Sequence, residues 1–162
     1  MKCPLIYFTK YMGNMTIEEM IERGHQFGCD GFDLACRPGQ TVTPENVKTM
    51  LPKLVKQLQT AGLKIPMVTA DAVDPTQPAV EPILAAMQES GVKLLKMGYF
   101  GIDNKTEDYW EKVAHIRTLL EGWVRLGERF GVRICYHTHS TGTLMGLNAS
   151  AVMHMLQGFD PK

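Results

Sequence analysis

The feature that most constrains this chain is its punctuation: five times over, a short apolar run gives way to a stretch of helical periodicity that stops at a glycine. The first run is residues 5–8. Thr16-Ile17-Glu18-Glu19 then has the spacing of a capping box and predicts a helix ending at Gly28. Residues 31–35 predict a second strand, and Thr43-Pro44-Glu45 predicts the start of a second helix with proline at its first position. That helix is expected to kink or restart at Pro52 and to end at Gly62. Residues 63–69 predict a third strand, 78–90 a helix closed by Gly91, and 92–97 a fourth strand. A long helix is expected from about residue 106 to Gly131, with an apolar stripe of Val113, Ile116, Leu120, Trp123, Val124 and Phe130. Residues 132–136 predict a fifth strand, and 148–157 a last helix ending at Gly158.

Strands that alternate with helices build a parallel sheet covered by helices, an α/β fold. Two architectures fit five such units. One is part of a (β/α)₈ TIM barrel, with about five of the eight units present. The other is a complete five-stranded open parallel sheet of flavodoxin-like type. Periodicity alone does not separate them.

Composition excludes several classes of function. The chain has 162 residues, enough for a single domain with a core, and its 17 basic and 17 acidic residues cancel. A non-specific nucleic-acid binder needs a basic surface, so no nucleic-acid partner is expected. No apolar run approaches a membrane span, and the N-terminus lacks the long apolar stretch of a signal peptide. Cys3, Cys29, Cys36 and Cys135 show no C-x-x-C spacing and read as reduced, buried thiols of a cytoplasmic protein.

The chemistry gathers at the predicted strand ends. His137 and His139 follow the fifth strand as His-x-His, and alternation turns both to one side, where they can contact a metal or exchange protons with a substrate. Capping the strand end is their structural alternative. Two imidazoles alone leave zinc short of a typical catalytic ligand set. Asp33 alternates with Phe32 and Leu34, which suit a helix-facing side, so Asp33 points to the opposite face. There it contacts substrate or pairs with a cation such as Lys96 or Arg37. Arg37, in the Arg-Pro-Gly after the second strand, suits a phosphate or hydroxyl-rich substrate, or is a surface arginine. Lys96 shares the inward face with Val92 and Leu94. An ion pair to Asp33 or a substrate contact is the favoured reading, and a Schiff-base nucleophile the sharper alternative. Asp71, past the third strand, is a weaker candidate at the same end. His115 and His154 fall opposite the apolar stripes of their helices, His25 flanks the first helix's apolar face and covers its edge, and Met20, Met87 and Met155 sit at core spacing.

The segments FTKYMG, GFDLACRPGQTVTPENV, AGLKIPMVTAD, LLKMGYF and YHTHSTGTLMG stand in register along the whole chain. Together they resemble the sugar phosphate isomerase/epimerase family of the xylose isomerase-like TIM-barrel superfamily. The resemblance implies a metal-dependent isomerase or epimerase that moves a proton on a sugar, keto-sugar or polyol. It implies a divalent metal (Mn, Mg, Co or Zn), with His137 where a glutamate ligand usually stands. It also implies His137 and His139 as catalytic groups and Asp33, Arg37 and Lys96 as substrate contacts. The remaining metal ligands would lie beyond Lys162, so residues 1–162 are expected to form one C-terminally truncated barrel domain with an incomplete metal site.

A small carbohydrate is the expected partner, and open sheet edges lead us to expect a homo-oligomer. An AP-endonuclease-like phosphodiesterase and a non-catalytic binding or assembly module are the alternatives. Amidohydrolase and PHP barrels place His-x-His at the first strand, where this chain has Tyr7-Phe8-Thr9-Lys10-Tyr11-Met12.

Overall fold

The computed structural model describes residues 3–139 and 142–160. Five strands, β1 (Ile6–Phe8), β2 (Gly31–Cys36), β3 (Lys64–Ala70), β4 (Leu94–Lys96) and β5 (Arg133–Cys135), alternate with five α-helices. The helices are α1 (Ile17–Phe27), α2 (Val47–Thr60), α3 (Val80–Ser90), α4 (Tyr109–Phe130) and α5 (Ala149–Leu156). All strand pairs are parallel, and the sheet order is β1-β2-β3-β4-β5.

That order decides between the two architectures. A flavodoxin-like sheet places its second strand outside its first, whereas neighbours in chain order are what a barrel wall requires. Right-handed crossovers then put every helix on the same side. Accordingly α1 packs on α2, α2 on α3, α3 on α4 and α4 on α5. Among the described residues the sheet is an open arc of a barrel wall.

Alternation along the strands sorts the side chains. Phe32, Leu34 and Cys36 of β2, Val68 and Ala70 of β3, and Leu95 of β4 are buried on the helix side. They meet Leu51, Leu54, Leu58, Leu84, Met87 and Ile116 from the helices. Trp123 of α4 anchors this layer, buried and donating its indole N–H to the Val73 carbonyl at 2.8 Å. The opposite set, Asp33, Thr69 and Lys96, lines the inner face.

Local chemistry sets the boundaries. Thr16 and Glu19 form the reciprocal capping box, and Gly28 closes α1 with φ of 62°, a conformation that suits glycine. The second helix begins at Val47, later than Thr43-Pro44-Glu45 suggested. The Asn46 side chain accepts the Thr43 N–H at 2.8 Å and donates to the Thr41 carbonyl at 3.1 Å, which holds the segment as a turn. Pro52 neither ends nor restarts α2, which is assigned as one helix through it. The fourth helix starts at Tyr109 because Asp108 caps it, accepting N–H groups from Trp110 and Glu111 at 2.8 and 2.9 Å. The fifth strand ends at Cys135, so His137 and His139 stand in the loop beyond it. Ser140 and Thr141, within the YHTHSTGTLMG segment, lie outside the described residues.

Val124 departs from its expected core role and is 40% exposed. It faces a groove of about 1120 Å³ between α4, α5 and the outer edge of β5, lined also by Leu120, Ile134, Tyr136 and Met153. Cys3 is likewise exposed, whereas Cys29 and Cys36 are buried.

Strands β2 and β3 approach most tightly at Gly31, where the register shifts before Asp33. A Cβ there would overlap the Lys64 carbonyl oxygen and stand 2.8 Å from its carbon. We expect Gly31→Ala to cost about 1–3 kcal/mol, read as a lower urea midpoint with an unchanged slope. An unchanged midpoint would contradict this close approach.

Candidate functional site

The inner face collects polar groups at the C-terminal ends of the strands, the end at which barrel folds place their chemistry. Asp33 of β2 accepts a hydrogen bond from the Thr69 hydroxyl of β3 at 2.7 Å. Thr69 is paired in register with Lys96 of β4, which sets the three side chains on adjacent strands. Beyond the strands, Arg37 forms an ion pair with Asp71 at 3.0 Å. The arginine side chain is 15% exposed and the aspartate 61%, so the pair reaches from the interior to the rim. Thr9, buried in the short 3₁₀ turn after β1, accepts the Ala35 N–H at 2.9 Å and ties that strand end down.

Lys96 is the unusual member. It is 6% exposed, and among the described residues its Nζ has no hydrogen-bond partner. The expected ion pair with Asp33 does not form: Asp33 takes the Thr69 hydroxyl, and Arg37 takes Asp71. Instead Nζ sits 3.6 Å from the centroid of the Tyr99 ring, a cation–π distance. Burial, and then the nearby Arg37 charge, pull the Lys96 amine down to about 8. The Asp33 carboxyl is pushed up by burial, against the opposing pull of Thr69, Lys96, Arg37 and His137.

Tyr99 joins the two halves of the site. Its hydroxyl lies 3.5 Å from His137 Nδ1, and its ring meets the His139 ring edge-on at 4.8 Å between centroids. The two histidines therefore share one side, as alternation suggested, and both are exposed. Behind them Tyr136 donates to the Met145 carbonyl at 2.7 Å and accepts the Phe100 N–H at 3.3 Å, which pins the two loops together. The structure thus brings together Asp33, Arg37, Lys96 and Asp71, and links them through Tyr99 to His137 and His139.

Sequence reading missed Tyr99 and Thr69. Thr69 had a usable signal, since it falls two residues before Asp71 on the same strand face. Tyr99 had none, because its position depends on the loop after β4. His25, His115 and His154 are exposed, and Met20, Met87 and Met155 are buried, as the helical spacing suggested. Among the described residues, no group of three His, Cys, Asp or Glu side chains is placed to hold a metal ion. His137 and His139 alone do not make up the donor set of a catalytic metal. The described residues therefore do not fit the metal that the resemblance implies. Also among them, no helix is long and apolar enough to cross a membrane.

An arc of parallel barrel wall with its polar groups at the strand ends defines the class of fold. The solved structures that it matches are sugar isomerase and epimerase barrels of the xylose isomerase-like type. A D-tagatose 3-epimerase-like protein superposes with a TM-score of 0.72 at 14% identity, over 98% of this chain and 61% of that one. The IolI protein with a bound zinc atom gives 0.73 at 14% identity, over 95% and 58%. The 3-keto-D-glucoside 4-epimerase of E. coli gives 0.74 at 12% identity, over 96% and 64%. The chain thus spans about three-fifths of these proteins, and identities this low establish the fold. No protein-family model matches the sequence. The probable cysteine protease ATG4 of Eremothecium gossypii is 30% identical over 93 residues, which are 57% of this chain and 18% of that protein. The chain therefore spans less than a fifth of that relative's length.

Folding lowers the Lys96 pKa from 10.5 to about 8. Below pH 8 both folded and unfolded chains carry the charge, and the folded state bears the full burial penalty. Between about 8 and 10.5 the folded amine is already neutral while the unfolded one is still protonated, so the penalty fades. We expect Lys96→Met to stabilise the protein at pH 7 by on the order of 2–3 kcal/mol, with a gain that shrinks as pH rises through this window. Thermal melts at pH 7 and pH 10 test this. A gain that is constant or grows with pH would contradict it.

Proposed function

We propose that this chain carries the substrate-binding and proton-transfer face of a sugar isomerase or epimerase acting on a keto-sugar or related polyol. The observation that carries the reading is the convergence of Asp33 on the inner face of β2, Lys96 at the end of β4 and the Tyr99–His137 pair in the loops after β4 and β5. Moving a proton next to a carbonyl needs a carrier for the proton and a positive group for the developing oxyanion. Asp33, whose carboxyl burial pushes above its ordinary value, serves as a proton carrier. Lys96 faces the oxyanion, and Arg37 orients the remaining hydroxyls. His137, in the loop after β5 and so three strands along the sheet from Asp33, next to the strand of Lys96, serves as the second carrier. An epimerase uses such a pair to remove a proton from one face of a carbon and return it to the other.

The fold supports this reading, because solved neighbours include a D-tagatose 3-epimerase-like protein, an L-ribulose 3-epimerase and a D-allulose 3-epimerase in complex with D-allulose. One neighbour binds zinc. A metal in this protein would need donors beyond His137 and His139, and no step is assigned to it. We infer a small carbohydrate as the partner and the cytoplasm as the site of action. The open β5 edge supports self-association of copies as a separate property. A phosphodiesterase acting on DNA has less support, given the zero net charge. Cysteine-protease chemistry needs a lowered thiol pKa, whereas burial pushes Cys36 up to about 12 and raises Cys135 as well.

Solvent exchange tests the reading. With D-allulose or D-tagatose in ²H₂O, we expect the chain to speed loss of the proton beside the carbonyl in the ¹H NMR spectrum. Asp33→Asn should slow that exchange at least about tenfold. Exchange at the protein-free rate, with no ketose-dependent shift of the Tyr99 or His137 resonances, would contradict it.

A further inference from the structure

Lys96 is more than nine-tenths buried, yet its Nζ has no hydrogen-bond acceptor among the described residues. Both carboxylates that could neutralise it are engaged elsewhere, Asp33 by Thr69 and Asp71 by Arg37. A purely structural buried lysine is normally paired, because an unpaired buried ammonium is costly. Nζ rests instead on the face of Tyr99, with Arg37 as a second cation nearby and the charges of Asp33 and Asp71 opposing it. A desolvated lysine beside another cationic group is the arrangement that leaves an amine free to attack carbon.

We propose that Lys96 is a nucleophile that forms an imine with the carbonyl group of a small polyhydroxylated aldehyde or ketone. The neutral amine attacks the carbonyl carbon, the N–C bond forms, and the π pair moves to oxygen, which takes up a proton. The resulting carbinolamine loses its hydroxyl as water when a second proton arrives. The nitrogen lone pair closes the C=N bond as the C–O bond breaks. Asp33, on the adjacent inner-face position, is the proton source for that departure and the acceptor of the proton shed by nitrogen. One amine and one carbonyl give one imine and one water, so no oxidant, reductant or metal enters. Protonated, the imine draws electron density from the neighbouring C–H bond and makes its proton easier to remove. The site thereby has an electrophile of its own, which the two imidazoles do not supply.

Tyr99 covers Nζ and must move for this chemistry. It belongs to the loop after β4 and is partly exposed, so an outward side-chain rotation would uncover the amine. The charged and titratable groups facing Lys96 are Asp33 and Arg37 from β2 and its loop, Asp71 from the β3 loop, and Lys10 from the 3₁₀ turn. Tyr99 itself completes the set. Burial and Arg37 lower the amine's pKa most, while the two carboxylates oppose them.

The inference rests on the ketose reading above only for the class of ligand, because trapping reports a C–N bond whether or not any sugar is epimerised. The full chain is incubated with dihydroxyacetone and sodium borohydride, which reduces an imine to a stable secondary amine, and is then weighed intact and mapped by peptide. We expect a single adduct, on Lys96, whose rate of formation rises with a midpoint near pH 8, where surface lysines titrate near 10.4. Lys96→Arg, which keeps the charge, should abolish the adduct. Asp33→Asn should slow it about tenfold or more. Tyr99→Ala, which uncovers Nζ, should speed it. Adducts spread over exposed lysines, with Lys96 unmodified both in the parent chain and in a folded Tyr99→Ala variant, would overturn the proposal.

Discussion

Parallel pairing in strict chain order is the constraint on which the rest of this structure depends. Once β1 to β5 lie side by side in sequence, right-handed crossovers commit every helix to one face. That face takes the apolar side chains, and the alternation of the strands leaves the other to Asp33, Thr69 and Lys96. The polar cluster is thus a consequence of topology as much as of residue choice. The same order leaves the β5 edge and its groove unpaired among the described residues.

Within that frame the site is organised by competition for counter-ions. Two cations, Arg37 and Lys96, and two carboxylates, Asp33 and Asp71, share the strand ends. The geometry pairs Arg37 with Asp71 and gives Asp33 a neutral donor in Thr69. Lys96 is left over, resting on the π face of Tyr99. A ring face compensates a buried ammonium less fully than a carboxylate does, and so the amine's proton is held loosely. The Asp33 carboxyl is displaced the other way by its own burial. Two groups whose pKa values move toward neutrality from opposite ends suit proton transfer near neutral pH.

Much of the fold was legible in the sequence because glycine stops and apolar periodicity are local. The Thr16–Glu19 capping box, the left-handed closures at Gly28, Gly91 and Gly131, and the inward turn of Asp33 and Lys96 follow from spacing alone. What was illegible is relational. The late start of α2 depends on Asn46 reaching back to Thr41 and Thr43. The exposure of Val124 depends on what lies beyond β5. Within the site, sequence placed the charged residues at the right strand ends but mispaired them. Alternation says which way a side chain points and not which neighbour wins it, so the Thr69–Asp33 bond and the role of Tyr99 appeared only in three dimensions.

The measurement that bears most directly on this picture is the ionisation of Lys96 itself. In protein labelled at lysine, the side-chain ¹³Cε resonance of Lys96, assigned with the Lys96→Arg variant, can be followed from pH 6 to 11. We expect it to titrate near pH 8, well below the ordinary lysine value. A midpoint at the ordinary lysine value, near 10.4, would mean that the amine is solvated or paired, and would contradict a desolvated, reactive Lys96 at the centre of the site.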